Sequence, residues 1–344
     1  MWTLHNIRIM GDKDTLLQGV KNAQKFLTEN ISNLSWDANC AGYILSNGGR
    51  FAGSAVRTCV YKNNQAIFAA GKYITPSGKE VSLGDRQSLL DATKVYSSEF
   101  RVDDVPACPG KLETGCVNLD CIEVARMMTE DGYNPAILNL ADAYHACGMY
   151  NSGSNAQEES LCRASTLSLT LYQYFTKSWA AKAGVPLREK SAYPMDMRFG
   201  GIYSPGLLVF RHGSDLAYKL REEPFRTSVI SVAALNFKEG HKTNNIEGNM
   251  SPDGGFTPQG EAIMIDKIRT IYRIALSNGH DSVVLGAFGC GVFKLKPELV
   301  SALFKKVLEE PEFKGKFRSV VFAMLAPAGD NKYSAFYNDF GRWA

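Results

Sequence analysis

Residues 136–163 read Ala136-Ile-Leu-Asn139-Leu-Ala141-Asp142-Ala-Tyr-His145-Ala-Cys147-Gly148-Met149-Tyr150-Asn-Ser-Gly153-Ser-Asn-Ala156-Gln157-Glu158-Glu159-Ser160-Leu-Cys162-Arg163. A short apolar run enters a loop carrying two glycines and small polar residues, and the loop opens onto a helix. Strand followed by helix is the unit of an α/β layered domain. In such sheets ligands bind outside the carboxyl ends of the strands, where loop and helix N-terminal N–H groups can hold an anion. The competing reading is purely structural. Gly148 and Gly153 would then turn the chain, and Glu158 and Glu159 would decorate a helix N-terminus, where carboxylates are favourable.

The same unit recurs on both sides. Upstream, residues 115–118 read as a strand and 122–128 as a helix; downstream, 158–177 read as a helix. Residues 207–210, 228–234, 282–287 and 319–325 are apolar or β-branched runs that suit strands buried on both faces. Between them, 260–277 places Ile263, Ile265, Ile268, Ile271, Tyr272 and Ala275 on one amphipathic helix, and 296–309 is a second. Two long irregular stretches, 183–200 and 238–258, interrupt this order; loops of that length are often lids or rims of a site.

The first third of the chain is different. Residues 13–29 have helical spacing, with Asp12 or Asp14 as cap. Residues 56–70 are rich in β-branched and aromatic side chains, and Pro76-Ser77-Gly78 supplies turn chemistry, which predicts a small strand-bearing part. The expected organisation is an N-terminal accessory region, 1–110, packed on a core domain, 111–344.

A second loop has the same setting as the first: Leu285-Gly286-Ala287-Phe288-Gly289-Cys290-Gly291-Val292-Phe293-Lys294 follows a strand and precedes a helix. Clustered glycines cost backbone entropy and suit positions needing φ > 0 or close approach of a ligand. The loop lacks the Lys-Ser/Thr ending of a P-loop and the third glycine of the dinucleotide fingerprint.

Composition removes other classes. Of 344 residues, 45% are hydrophobic and 21% charged, which excludes disordered and coiled-coil chains. Lys+Arg exceed Asp+Glu by 38 to 35, too even for a surface that holds nucleic acid by neutralising phosphates. The N-terminus has no signal-peptide pattern and no apolar run reaches membrane-spanning length, so neither secretion nor a membrane is expected. Cys40, Cys59, Cys108, Cys116, Cys121, Cys147, Cys162 and Cys290 are scattered singly, without Cys-x-x-Cys pairs, and the five histidines are isolated. Free thiols are therefore expected in the cytoplasm or another reducing compartment, a host cell included, with no metal and no cofactor. The Asn-x-Ser sequons at Asn30, Asn33 and Asn249 are read as chance matches.

The run Ala156-Gln157-Glu158-Glu159-Ser160-Leu161-Cys162-Arg163 resembles the Gln-Glu-Glu signature of the microbial-type poly(ADP-ribose) glycohydrolases, a branch of the macrodomain superfamily. Further segments fit in the family's order: Gly71-Lys-Tyr73 with Gly78-Lys-Glu-Val81, then Tyr203-Ser-Pro205 with Phe210-Arg211, then the 286–293 loop, and Phe322-Ala323. The similarity spans roughly residues 50–344. It implies a macrodomain-like three-layer α/β/α sandwich with a mixed central sheet and an ADP-ribose cleft at one end of it. The implied activity is hydrolysis of the glycosidic bond of ADP-ribose in poly(ADP-ribose) or ADP-ribosylated protein. The alternative is a non-catalytic ADP-ribose reader.

Residue roles follow from the same resemblance. Glu159 matches the catalytic acid and Glu158 the companion that holds the ribose. The family's triple glycine reads Cys147-Gly148-Met149 here, with seven residues before Gln157. Two glycines are thus replaced at a place where the backbone sits close to diphosphate and ribose, which puts polymer cleavage in question more than binding. Gly148, Met149, Gln157 and Asp142 are expected at the ligand. The backbone of Gly289, Cys290, Gly291 and Val292 would cradle the diphosphate, Phe293 would pack on the distal ribose, and Tyr333 or Phe336 would stack adenine. Oxocarbenium chemistry explains the carboxyl requirement: an acid protonates the leaving oxygen and then activates water. Burial and a neighbouring carboxylate raise such a pKa, and a helix N-terminus lowers it. Several residues carry two readings. His145 contacts ligand or is a solvent-exposed loop histidine. Tyr150 lines the ribose pocket or packs in the core, and Arg211 binds phosphate or pairs with a carboxylate. Cys147 is a helix-terminus thiol of lowered pKa or inert, and Cys290 a small buried residue or a nucleophile.

Overall fold

The computed structural model describes residues 32–35, 50–102, 105–326 and 329–343. The helix expected at 13–29 and Cys40 lie outside them. Its centre is a seven-stranded mixed sheet in the order β3-β6-β7-β5-β8-β9-β4, built from β3 (Lys94–Tyr96), β4 (Glu113–Val117), β5 (Pro135–Leu140), β6 (Gly201–Arg211), β7 (Leu220–Val232), β8 (Ser282–Leu285) and β9 (Ser319–Ala323). A separate hairpin pairs β1 (Lys72–Ile74) with β2 (Glu80–Ser82). Strands β4, β9, β8, β5 and β7 are mutually parallel, and β6 runs against its neighbours β7 and β3.

The uninterrupted apolar runs have the expected cause: both faces of the sheet are covered. Ile137, Val284 and Val321 point into one apolar cluster, whereas Ala136, Leu138, Val283, Leu285, Val320 and Phe322 point into the other. The first face carries α1 (Arg50–Ala70), α2 (Arg86–Asp91), α3 (Cys121–Glu130), α4 (Gln157–Ala164), α5 (Leu167–Tyr172) and α6 (Lys177–Ala183). The second carries α7 (Pro258–Ser277), α8 (Pro297–Leu308) and α9 (Asn331–Phe340). This is the three-layer macrodomain-like sandwich. Among the described residues no helix is long and apolar enough to cross a membrane.

Residues 56–70 form most of α1, not strands. Val56, Cys59, Val60, Asn63, Asn64, Ile67 and Phe68 are buried, a spacing of three and four that only a helix brings to one face. Tertiary burial thus overrides the β-branched composition. The 158–177 helix also divides: Ser165 is extended and bridges Val209, and the Thr166 N–H donates to the Leu208 carbonyl, so the chain breaks to meet β6. Strands β6 and β7 are longer than their apolar runs because they pair as one antiparallel ribbon whose outer end carries polar residues. Within the expected accessory region, β3 occupies the edge of the central sheet, and Ile67, Phe68 and Tyr73 belong to the first apolar cluster.

Candidate active site

The carboxyl ends of β7, β5, β8 and β9 open at one end of the sheet, joined there by the amino end of β6. Loops 141–156, 233–257 and 286–296 leave from this end and 184–200 arrives at it, so both long irregular stretches border the same cleft. They are tied to it: the Met195 N–H donates to the Ala143 carbonyl at 2.8 Å, and Asn245 Nδ2 reaches Met197 Sδ at 4.0 Å.

Helix α4 starts against the end of β5. Gln157 makes this join, its Oε1 accepting from the Leu140 N–H at 2.9 Å and its Nε2 donating to the Leu138 carbonyl at 2.7 Å. Its amide is therefore spent on β5, a positioning task in place of the expected ligand contact. The next two side chains are both buried carboxylates. Glu158 accepts from Asn139 Nδ2 at 3.2 Å and from the Asp142 N–H at 2.9 Å. Burial pushes its pKa well above the usual carboxylate range, with the Glu159 charge adding to the rise, and outweighs these hydrogen bonds. Glu159 Oε1 accepts from the Met149 N–H at 3.0 Å, and its Oε2 is buried without a partner among the described residues.

The loop that covers this pair is shaped around it. Gly148 has φ +52°, and a Cβ there would lie 2.6 Å from Glu159 Oε1 and 3.4 Å from Glu158 Oε2. Only glycine fits. Cys147 adopts φ +63° as well, a left-handed conformation that costs about 1–3 kcal/mol for a residue with a side chain. Its thiol is fully buried and burial raises its pKa, so the helix terminus does not activate it. Met149 gives its backbone to Glu159 while its side chain stands 54% exposed at the mouth. From below, Arg57 Nε donates to the Gly153 carbonyl at 2.7 Å and Arg163 Nη2 to the Tyr150 carbonyl at 3.2 Å, which prop the loop.

On the neighbouring strand, the 286–293 loop divides its glycines by task. At Gly289 (φ +77°) a Cβ would press within 2.5 Å of Leu295 and 2.7 Å of Ala234, so the fold itself demands glycine. At Gly291 φ is not left-handed and a Cβ would meet nothing within 4 Å, leaving a bare backbone open to the cleft. The N–H groups of Gly291, Val292 and Phe293 have no acceptor among the described residues. Successive free N–H groups make an anion-binding concavity. Val292 is exposed and Phe293 half-buried, with its carbonyl accepting from the Phe237 N–H at 2.8 Å. Burial pushes the Cys290 thiol up to about 12, which leaves it inert at neutral pH.

Other expected residues fall elsewhere. Phe336 is a core residue, fully buried against Phe322 at 4.8 Å and Phe304 at 6.4 Å, and cannot stack on a ligand. Its position on the inner side of α9 explains the difference; Tyr333, one turn earlier, is half-buried. Tyr150 is buried and its hydroxyl accepts from Asn64 Nδ2 at 2.8 Å. Arg211 is fully buried, donating to Asn64 Oδ1 and Asn63 Oδ1, so it serves the core. Asp142 Oδ1 accepts from the N–H groups of Tyr144 and His145 at the rim of the loop, and His145 is exposed. Asn139 and Ser231, which form the bed of Glu158, were not foreseen. A polar residue isolated inside the apolar run 136–141 was the available signal.

Residues 62–212 match the family model for the microbial-type PARG (poly(ADP-ribose) glycohydrolase) catalytic domain. That part of the chain is similar to the family's catalytic domain. Among solved structures, poly(ADP-ribose) glycohydrolase from Thermomonospora curvata is 27% identical, covers 85% of this chain and 100% of its own, and superposes with a TM-score of 0.64. The same enzyme bound to the inhibitor ADP-HPD gives 26% and 0.63 over the same shares. Poly(ADP-ribose) glycohydrolase from Deinococcus radiodurans in complex with ADP-ribose is 25% identical, covers 75% of this chain and 98% of its own, with a TM-score of 0.57. No curated protein matches the chain by sequence. In this chain the Glu pair on β5–α4 and the open backbone after β8 sit side by side, because β5 and β8 are adjacent in the sheet.

Proposed function

We propose that this chain is an ADP-ribosyl glycohydrolase that binds ADP-ribose across the ends of β5 and β8 and hydrolyses its anomeric bond in poly(ADP-ribose) or on modified protein. The observation that carries the reading is Glu159: one carboxyl oxygen is fixed by the Met149 N–H and the other is buried without a partner among the described residues. Leaving a buried oxygen unpaired costs about 1–3 kcal/mol, a cost that bound substrate removes.

In the mechanism, the N–H groups of Gly291–Phe293 take the diphosphate, and Glu158, held by Asn139 and Asp142, fixes the distal ribose. Glu159 Oε2 delivers its proton to the leaving oxygen as the anomeric C–O bond breaks. Water then adds to the anomeric carbon and returns a proton to the same carboxylate. The exposed Met149 side chain borders the approach to Glu159 and sets which substrates enter. The described cysteines are free, which fits a reducing compartment.

The test is ADP-ribose release from poly(ADP-ribose) and from ADP-ribosylated protein, with calorimetry for ADP-ribose. Glu159→Gln is expected to lose release and keep binding. Release at the wild-type rate by that variant removes Glu159 from the chemistry, and binding without release by the wild type makes the chain a reader.

A further inference from the structure

The β6–β7 ribbon runs along α4, the helix that carries the Glu pair. At the far end of α4 the Ser165 backbone bridges Val209, and the Thr166 N–H donates to the Leu208 carbonyl. Two register shifts within the ribbon, between Ser204 and Leu207 and between Val209 and Arg211, mark bulges, which bend a strand pair. The ribbon closes in a tip at 212–219, and there Tyr218 meets the first turn of the helix: its hydroxyl is hydrogen-bonded to Ser160 Oγ at 3.0 Å. Ser160 directly follows Glu159.

The tip is strained. Ala217 (φ +49°) and Tyr218 (φ +57°) are consecutive left-handed residues, and neither is glycine. Such conformations persist only where the surroundings over-determine them, and they cluster at functional positions. Tyr218 supplies the anchor: it is buried while Leu216 beside it is exposed, and its carbonyl accepts from Arg211 Nη1 at 2.9 Å.

The ring of Tyr218 has a second partner. Arg163, one turn after Glu159 on α4, is fully buried, and its guanidinium carbon lies 5.5 Å from the Tyr218 ring centroid and 5.6 Å from that of Tyr150. Its Nη2 donates to the Tyr150 carbonyl in the catalytic loop, and its Nη1 has no hydrogen-bond partner among the described residues. A desolvated cation of this kind is stabilised by the faces of aromatic rings. Tyr218 therefore touches the helix turn that carries Glu158 and Glu159. Through Arg163 it also reaches the loop whose Met149 N–H fixes Glu159.

We propose that Tyr218 is a positioning residue for the reaction, clamping the first turn of α4 and the 147–153 loop into one unit around Glu159. The inference rests on the glycohydrolase reading and adds to it a residue beyond 62–212, the segment that matches the family model. The diphosphate is held elsewhere, by the 291–293 backbone, so the clamp acts on turnover and not on affinity.

The experiment measures kcat and KM for ADP-ribose release, ADP-ribose affinity by calorimetry, and hydrogen exchange of the 147–153 amides, at a temperature where every variant is folded. Tyr218→Leu removes ring and hydroxyl together. It is expected to lower kcat about 100-fold, the effect of a displacement near 1 Å at a reacting group, with KM and affinity within about twofold. The loop amides should exchange faster in the same variant. Tyr218→Phe keeps the ring on Arg163 and loses one hydrogen bond, so its kcat should fall only about fivefold. Ala217→Gly relaxes the tip with Tyr218 in place and should leave kcat unchanged. A folded Tyr218→Leu variant with wild-type kcat overturns the clamp. So does wild-type kcat in Tyr218→Phe, which decides the matter if the leucine variant does not fold. A fall in kcat matched by an equal loss of ADP-ribose affinity also overturns it, because general loosening of the site does the same. Absence of release by the wild type refutes the glycohydrolase reading instead, and the clamp is then read from the exchange of the loop amides.

Discussion

Replacing Gly148 by alanine should separate folding from chemistry. The new Cβ would lie 2.6 Å from Glu159 Oε1 and 3.2 Å from its Cδ, at a backbone φ of +52°. The left-handed conformation costs alanine about 1–2 kcal/mol. To restore ordinary contact the carboxylate must retreat by about 0.8 Å, and a displacement near 1 Å at a reacting group costs on the order of 100-fold in rate. The retreat also stretches the 3.0 Å bond from the Met149 N–H, worth about 0.5–1.5 kcal/mol. Gly148→Ala is therefore expected to unfold a few degrees lower, to bind ADP-ribose, and to release it about 100-fold more slowly. Thermal melts, calorimetry and a release assay on poly(ADP-ribose) give the three readings. Release at the wild-type rate would refute the argument that this loop holds Glu159 in its working position.

Gly291→Ala is the counterpart: its Cβ meets nothing, so stability should stay within about 0.5 kcal/mol while ADP-ribose affinity falls, and unchanged affinity in calorimetry would remove the 291–293 backbone from the site. Glu158→Gln tests burial of the carboxyl. Because the folded pKa is raised, the folded chain keeps a proton that the unfolded chain releases, so this contribution is full below the usual carboxylate pKa and is lost as pH rises toward the folded value. The melting temperature of the variant minus that of wild type should grow more positive from pH 4.5 to pH 8, and a flat difference contradicts it. Phe336→Ala should cost about 3–5 kcal/mol as a core deletion, whereas Phe336→Leu should leave ADP-ribose affinity intact; loss of affinity in the leucine variant would return this ring to the cleft.

The amino-acid sequence by itself determined the layered α/β class, because strands buried on both faces must be apolar at every position, as 136–138, 283–285 and 320–322 are. It also determined where chemistry could sit, since Gly148, Gly291 and the Glu158–Glu159 pair follow strand ends, and local chain order puts strand ends beside helix starts. Other features needed the tertiary structure. Residues 56–70 became a helix because seven positions at helical spacing found a core to face, which composition does not weigh. Phe336 went into the core because α9 turns that side toward Phe322. The task of Gln157, clamping β5, arises from pairing across the chain. So does the contact of Tyr218 with Ser160 and Arg163, where residues far apart in sequence become neighbours only through the β6–β7 ribbon. Local signals fix elements and their ends, whereas burial and register decide which side chains face a ligand.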